Sequence, residues 1–226
     1  LIGQDKERTI IHLKLNVGGK PDANTKDLAY WHYSVHNPKS AVSHFEGAVV
    51  NINASDFYSE NISYVNDWGL EAQNGPQALA LKTKADRIAF YNCKFRSFQD
   101  TWMTTTRDAD RHYVKECWLE GAVDYFYGGG NALVEESTLY NVRSGSVIVA
   151  PCHESVKYGY VFRNCVIDGN EQAADGKLKL GRPWHNSPKA VYVNTLVKIP
   201  LAPEGWTNMG TIPVSYTHLR AHETTL

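Results

Sequence analysis

The stretch Val114-Lys-Glu-Cys-Trp-Leu119 carries the pattern that decides the fold. A polar residue, Glu116, follows a short run suited to a β-strand, and a small residue, Cys117, separates it from the next such run. The polar position recurs along the chain as Asn61, Asn92, Glu116, Glu136, Asn164 and Asn194. The successive separations are 31, 24, 20, 28 and 30 residues. Repeating units of this length, built from short strands, are typical of a solenoid.

These units predict an all-β fold, a right-handed parallel β-helix whose coils pair strand against strand. At a coil corner, an Asn can hydrogen-bond its counterparts in neighbouring coils, and the small residue after it can point into the core. Three of the four cysteines, Cys93, Cys117 and Cys165, occupy that small position, which favours a packing role over a redox role. An irregular β-sandwich is the alternative that the strand pattern leaves open.

The composition excludes several classes of function. The 226 residues include 23 Lys and Arg against 24 Asp and Glu, so the formal net charge is −1. This balance offers no basic surplus for nucleic acid or for an anionic membrane surface. No apolar run reaches the roughly 18 residues that a membrane span requires. The four cysteines form no C-x-x-C pair, which argues against a zinc ribbon or a dithiol redox motif.

Other chemistries also lack their motifs. The sequence contains no glycine-rich phosphate loop and no G-x-S-x-G nucleophile segment. His32 and His36 have i, i+4 spacing, but the glutamate of an H-E-x-x-H motif does not follow His32. Their neighbours are aromatic, which favours packing over metal binding. We therefore expect neither a metal nor another cofactor.

Four polar segments interrupt the strands: Gly75–Leu81, Phe98–Trp102, Gly121–Gly130 and Leu180–Trp184. In the third segment, Asp124 stands between apolar neighbours, where a carboxylate costs desolvation energy unless it is paired. Arg182, in the fourth segment, is a candidate partner. Taken singly, these residues are better explained as an Asp at a coil corner bonded to the backbone and an Arg on the surface.

In their order and content, these segments resemble the signature segments of the pectin methylesterases, or pectinesterases, of bacterial type. The resemblance covers residues 1–213 and implies a single β-helix domain that is incomplete at both ends. Residues 214–226 show no apolar periodicity and are predicted to be a non-native tail. Two departures stand out: Trp102 replaces a usual aliphatic residue, and Tyr125 and Tyr127 replace Phe.

The resemblance implies catalytic roles for five residues. Asp124 would attack the ester as the nucleophile, and Asp100 would be the general acid and then the general base. Gln77 and Gln99 would donate hydrogen bonds to the oxyanion, and Arg182 would hold Asp124 ionised. The two aspartates must differ in protonation, so the pKa of Asp124 should be lowered by Arg182 and that of Asp100 raised by burial and a neighbouring charge.

Four aromatic residues near these segments are expected to bind the sugar rings: Trp184, Phe98, Trp102 and Tyr125. The implied reaction is hydrolysis of the methyl esters of homogalacturonan through an acyl-enzyme. The implied protein is a secreted or periplasmic monomer with pectin, rather than nucleic acid or a membrane, as its partner.

Two alternatives share the β-helix architecture. A Ca²⁺-dependent pectate-type lyase needs a cluster of acidic ligands, for which Asp108 and Asp110 are the nearest candidates. A non-catalytic carbohydrate-binding β-helix, or a relative acting on another ester, needs no reactive aspartate pair. Asp100, Asp124 and Arg182 together favour the esterase.

Overall fold

Parallel strands arranged in three sheets make up the fold. The computed structural model describes residues 1–17 and 48–210, and the backbone of 219–222. Within those residues, every pairing between strands is parallel, and successive strands of a coil belong to different sheets. The fold is therefore a parallel β-helix, as predicted. The β-sandwich alternative was wrong, because a sandwich packs two antiparallel sheets.

Each sheet receives about one strand from every coil. The first sheet is formed by β1 (Ile10–Leu13), β4 (Ser63–Asn66), β7 (Lys94–Arg96), β10 (Trp118–Gly121), β13 (Thr138–Asn141), β16 (Val166–Gly169) and β19 (Leu196–Val197). The second is formed by β2 (Ala48–Ile52), β5 (Leu79–Thr83), β8 (Trp102–Met103), β11 (Val123–Gly128), β14 (Val147–Pro151) and β17 (Lys179–Gly181). The third is formed by β3 (Phe57–Glu60), β6 (Ile88–Tyr91), β9 (Arg111–Lys115), β12 (Asn131–Glu135), β15 (Tyr160–Arg163), β18 (Ala190–Val193) and β20 (Leu219–His222).

The polar positions of the repeat form the corners between the third and first sheets. All six of them adopt a left-handed backbone, with φ between 49° and 56°. Asn tolerates this conformation better than most residues. Asn92 donates from Nδ2 to Oδ1 of Asn61 at 2.6 Å, and Asn194 donates in the same way to Asn164 at 2.7 Å. The predicted ladder is confirmed for these two pairs.

The small residues after the corners point inward, as predicted. Cys93, Cys117 and Cys165 are buried free thiols, and the equivalent positions of two other coils hold the buried residues Ser137 and Thr195. Cys93 donates its backbone N–H to Sγ of Cys117 at 3.3 Å, so neighbouring coils stack these side chains directly. The packing role of the cysteines follows from this stacking.

Aromatic rings fill the centre of the coils. Trp102 is fully buried, with ring centroids 4.6 Å from Phe95, 5.0 Å from Phe90 and 5.1 Å from Phe126. Its indole Nε1 donates to Oγ1 of Thr83 at 3.1 Å, which satisfies the only polar group of the side chain. The expectation that Trp102 binds substrate was therefore wrong, because no face of the ring reaches the surface.

A short helix and a strand near the C-terminus complete the described structure. The short helix α1 (Asp67–Ala72) lies between β4 and β5, and Asn66 caps it by accepting the backbone N–H of Trp68 at 3.1 Å. Strand β20 pairs with β18 in parallel although it lies beyond the predicted boundary at residue 213; that boundary stays a prediction. Among the described helices, none has the length and apolar character to span a membrane.

Candidate active site

A cavity of about 190 Å³ opens on the outer face of the second sheet. It is lined by Gln77, Gln99, Asp100, Asp124, Tyr127, Ala150, Arg182, Trp184 and Met209. The five residues predicted to be catalytic therefore share one cavity with Trp184, one of the four predicted sugar-binding residues. They come from segments up to 105 positions apart, and the stacking of the coils brings them together.

A bulge in β11 places Asp124 at the surface of the cavity. Val123 pairs with Val147 and Phe126 pairs with Val149, so three steps along β11 match only two along β14. Asp124 takes a left-handed backbone conformation with φ of 50° at this point. The extra residue changes which side chains face outward, as bulges do near functional sites.

Asp100 lies in the neighbouring coil at the position stacked on this bulge. Its backbone N–H donates to the carbonyl of Val123 at 2.9 Å, and Gln99 forms an isolated parallel bridge with Val123. Asp100 also has a left-handed backbone, with φ of 61°. The two aspartates therefore occupy adjacent coils, with no intervening strand between them.

Arg182 forms a two-pronged ion pair with Asp124. Its Nε donates to Oδ1 at 2.9 Å, and its Nη2 donates to Oδ2 at 2.7 Å. The backbone N–H of Arg182 bonds to the carbonyl of Val149, which anchors the residue after β17. This geometry confirms Arg182 as the partner of Asp124, because a planar guanidinium and a carboxylate match in shape and charge.

The electrostatics of the pair differ from the sequence expectation in one respect. Burial raises the pKa of Asp124, and the hydrogen bonds from Arg182 lower it by less, so the net direction is upward. The expectation of a lowered pKa was wrong, because the desolvation of a nearly buried carboxylate outweighs one ion pair. The same contact raises the pKa of Arg182.

The surroundings of Asp100 match the expectation. Burial raises its pKa well above the usual range for an aspartate, and the negative charge of Asp124 raises it further. Arg182 and Tyr127 oppose these effects without reversing them. Asp100 is therefore the more strongly protonated member of the pair, and it has the properties of a proton donor.

The two glutamines line the cavity from successive coils. The backbone N–H of Ala78 donates to the carbonyl of Gln99 at 3.0 Å, so the stretch around Gln77 stacks on the next coil. Both glutamine side chains are half-buried and accessible from the cavity. A Cβ at Gly75 would stand 3.1 Å from Oε1 of Gln99, so glycine leaves room for that side chain.

Of the three other aromatic residues predicted to bind sugar, one lines the cavity and two are buried. Trp184 is half-exposed in the cavity, and its ring centroid lies 5.7 Å from that of Tyr127. Tyr125 is buried in the core, where its hydroxyl donates to Oδ1 of Asn141 at 3.2 Å. Phe98 is buried against Ala122. Sugar binding by Tyr125 and Phe98 was therefore a wrong prediction, since both rings face protein.

Tyr127 is one of three cavity residues that the sequence interpretation missed. A strict two-residue alternation from Asp124 would put residue 126 in the cavity, but the bulge moves that side chain into the core and Tyr127 outward. The sequence carries no signal for a bulge other than an aspartate inside an apolar run. Met209 and Ala150 were missed for a different reason, because they lie outside the four recognised segments.

A second cavity of about 550 Å³ adjoins the first one and shares Trp184 with it. Its lining consists of Met103, Thr106, Asp108, Cys152, Glu154, Trp184 and His185. The surface of this cavity is mostly apolar, with acidic groups at its edge. The two cavities meet at Trp184, and together they are called the cleft below.

Among residues 1–17 and 48–210, no three His, Cys, Asp or Glu side chains converge as metal ligands would. His32 and His36, which were considered as metal ligands, lie outside the described residues. Asp108 accepts the backbone N–H of Glu154 at 3.3 Å and contacts Ser155, and Asp110 accepts from Thr105 and Arg107. Both aspartates therefore hold loops in place.

Comparison with known proteins places the chain in a family. The pectinesterase family model matches residues 30–217. The chain belongs to the pectinesterase family. "Pectinesterase 31" of Arabidopsis thaliana is 36% identical over 166 residues, which cover 73% of this chain and 49% of that protein. "Probable pectinesterase A" of Neosartorya fischeri is 32% identical, with 76% of this chain and 52% of that protein covered.

Solved structures of pectinesterases share the fold. The pectin methylesterase of Aspergillus niger is 30% identical, with a TM-score of 0.68 over 79% of this chain and 57% of that chain. The rice weevil enzyme is 22% identical, with a TM-score of 0.79 over 99% of this chain and 73% of that chain. The pectinesterase chain described here spans about half the length of the curated relatives that it matches. These relatives are plant and fungal, so the expected bacterial type is not confirmed.

Proposed function

We propose that this pectinesterase chain hydrolyses the methyl esters of homogalacturonan and releases methanol and free carboxylates. The observation that supports this function best is the Asp124–Arg182 ion pair beside the buried Asp100 in one cavity. One carboxylate there is oriented by a guanidinium that opposes the rise of its pKa, and the other has the more strongly raised pKa. Ester hydrolysis through an acyl-enzyme needs this division of roles.

In the first step, Oδ of Asp124 attacks the ester carbonyl carbon. The carbonyl oxygen becomes an oxyanion, to which the amide groups of Gln77 and Gln99 donate hydrogen bonds from the cavity wall. Collapse of the tetrahedral intermediate breaks the bond to the methoxy oxygen, which takes the proton of Asp100 and leaves as methanol. Asp124 is then joined to the sugar carboxyl as an anhydride.

In the second step, the ionised Asp100 takes a proton from a water molecule as that water attacks the sugar carbonyl carbon. The anhydride bond breaks, and the Asp124 carboxylate is released into the hydrogen bonds of Arg182. The product is a free galacturonate unit, and Asp100 is protonated again. The cycle therefore closes with no net change in the protein and with one water molecule consumed for each methanol released.

The lyase alternative requires acidic side chains that are free to bind Ca²⁺. Asp110 is buried and bonded to Thr105 and Arg107, and Asp108 is occupied by the loop at Ser155. These contacts favour the esterase over the lyase. A purely carbohydrate-binding role would leave the raised pKa of Asp100 without a use.

The substrate class also bears on where the protein acts. Homogalacturonan is a polymer of plant cell walls, so we propose that the protein is secreted or periplasmic. We further propose that it acts as a monomer, because all the proposed catalytic side chains come from a single chain.

Methanol release from highly methylated pectin tests the proposal. We expect release by the wild-type protein in the presence of a chelator, and no release by Asp124→Asn. Asp175→Asn is the matched control, because Asp175 is bonded to Ser144 at the surface away from the cavity. Release by Asp124→Asn at the wild-type rate, or products with unsaturated sugar ends, would overturn the proposal.

A further inference from the structure

Two buried polar atoms in the catalytic cavity have no hydrogen-bond partner among residues 1–17 and 48–210. They are Oδ1 of Asp100 and the hydroxyl oxygen of Tyr127. Both side chains line the same 190 Å³ cavity, and they lie close enough that their interaction lowers the pKa of Asp100 and raises that of Tyr127. Buried hydroxyl and carboxyl groups are rarely left unpaired in a native protein, so such a pair marks a contact that forms in another state of the site.

The ring of Tyr127 is held in one place. Tyr127 pairs with Ala150 on one side and Met103 on the other, and its ring packs against Trp184. The Tyr127 hydroxyl is therefore a fixed group at the edge of the catalytic pair.

The charged groups around these atoms identify the acceptor. Asp100 is faced by Asp124, Arg182 and Tyr127, and Tyr127 is faced by Asp100, Asp124 and Tyr160. Asp124 is already occupied by Arg182, which leaves Asp100 as the carboxyl group open to a new donor. Burial and the charge of Asp100 raise the pKa of Tyr127, so its phenol keeps its proton and acts as a donor.

We propose that Tyr127 is a positioning residue whose hydroxyl donates a hydrogen bond to Asp100 once Asp100 has given its proton to methanol. The inference rests on the proposed esterase function. Tyr127 keeps its own proton throughout, while Asp100 loses one proton in the first step and regains one from water in the second. The hydrogen bond stabilises the ionised carboxylate between the two steps and orients it towards the attacking water.

The consequence is a pKa effect with a definite sign. A hydrogen bond to the charged form of a carboxyl group lowers its pKa, so removal of the Tyr127 hydroxyl raises the pKa of Asp100. A single hydrogen bond to a charged group corresponds to about one pH unit and to about a tenfold change in rate. Binding of the substrate does not use the hydroxyl, so KM changes little.

Tyr127→Phe tests the proposal, with Tyr125→Phe as the matched control. The control removes the same atom two residues away on the same strand, where the hydroxyl bonds to Asn141 in the core. In Tyr127→Phe we expect kcat to fall about tenfold, the basic limb of the kcat/KM profile to move up by about one pH unit, and no loss of thermal stability. In Tyr125→Phe we expect a lower Tm and no change in the pH dependence of kcat/KM.

A second measurement separates this proposal from the proposed function. Titration of the side-chain carboxyl of Asp100 by ¹³C NMR, assigned with Asp100→Asn, reports its pKa without any turnover. A higher pKa of Asp100 in Tyr127→Phe than in wild type is the expected result. An equal pKa in the two proteins overturns the role of Tyr127 whether or not methanol is released, whereas a silent wild-type enzyme with the shift present contradicts only the esterase function.

Discussion

At the scale of single residues, two aspartates of the same type acquire different properties from their surroundings. Asp124 accepts two hydrogen bonds from Arg182, whereas Oδ1 of Asp100 accepts none within the described residues. Burial raises the pKa of both carboxyl groups, but the guanidinium limits the effect at Asp124. The separation of their pKa values, rather than the identity of the side chains, divides the nucleophile from the acid.

The two-pronged ion pair of Arg182 with Asp124 can be tested by Arg182→Lys. A lysine keeps the charge but presents a compact ammonium that cannot bond both carboxylate oxygens in one plane. We expect kcat/KM for methanol release to fall by about 100-fold, which corresponds to losing part of a charge-assisted pair. The same change at Arg163, which pairs with Glu135 on the third sheet, is the control. Equal losses of kcat/KM in the two variants would show that the two-pronged ion pair has no catalytic role.

The pH dependence of kcat/KM follows from the two carboxyl groups. Attack requires Asp124 to be ionised, so activity is lost as the pH falls through its raised pKa. Protonation of methanol requires a protonated Asp100, so activity is lost as the pH rises through its more strongly raised pKa. We expect a bell-shaped pH profile, whose two limbs report apparent pKa values that belong to the coupled pair and not to either aspartate alone. A profile that keeps rising until the protein unfolds would remove Asp100 as the acid.

At the scale of the elements, the corners were predictable and the bulge was not. Five of the six corners combine a polar residue and a small residue in a fixed order, and the first has Ile62 after Asn61; both the left-handed backbone and the limited core space restrict the choice. A bulge shifts the alternation of inward and outward side chains along a strand, but no particular residue type marks its position in the sequence. The sequence analysis assigned Tyr125 to substrate binding and left Tyr127 out, whereas the structure buries Tyr125 in the core and places Tyr127 in the cavity.

The corner ladder can be tested at Asn92. This residue has φ of 49° and bonds to Asn61 in the neighbouring coil. Asn92→Ala loses that hydrogen bond and also forces a Cβ without polar compensation into the left-handed region, which costs about 1–2 kcal/mol. Both variants also lose the hydrogen bond that Asn92 accepts from Nζ of Lys6, but Asn92→Gly avoids the backbone strain, because glycine adopts this conformation freely. We expect the Tm of the Ala variant to be the lower of the two, and the reverse order would contradict the role of the backbone.

At the scale of the whole molecule, stacking gathers residues that are remote in sequence. The repeat spacing indicates which segments become neighbours, and the five catalytic residues that the family resemblance implied lie in one cavity. The direction of each aromatic side chain could not be predicted, because the same ring suits the core and a sugar-binding surface. Trp102 and Trp184 illustrate this: one ring is in the centre of the coils and the other is in the cleft.

Replacement of the core tryptophan should affect stability. Trp102→Ala removes a fully buried ring that packs against Phe90, Phe95 and Phe126, and with it the hydrogen bond from the indole to Thr83. We expect the free energy of unfolding to fall by about 3–5 kcal/mol, measured by urea denaturation. A variant as stable as wild type would mean that the ring is not part of the core.

Replacement of the cleft tryptophan should affect binding instead. Trp184 is half-exposed and borders both cavities, so its ring can lie against the face of a sugar while contributing little to the packing of the coils. We expect Trp184→Ala to raise KM for pectin about tenfold, the size of a typical aromatic contact, with Tm nearly unchanged. Trp102→Ala serves as the comparison, since it deletes the same ring from the interior. If both variants lost stability and neither changed KM, the cleft would not be the binding site of the polymer.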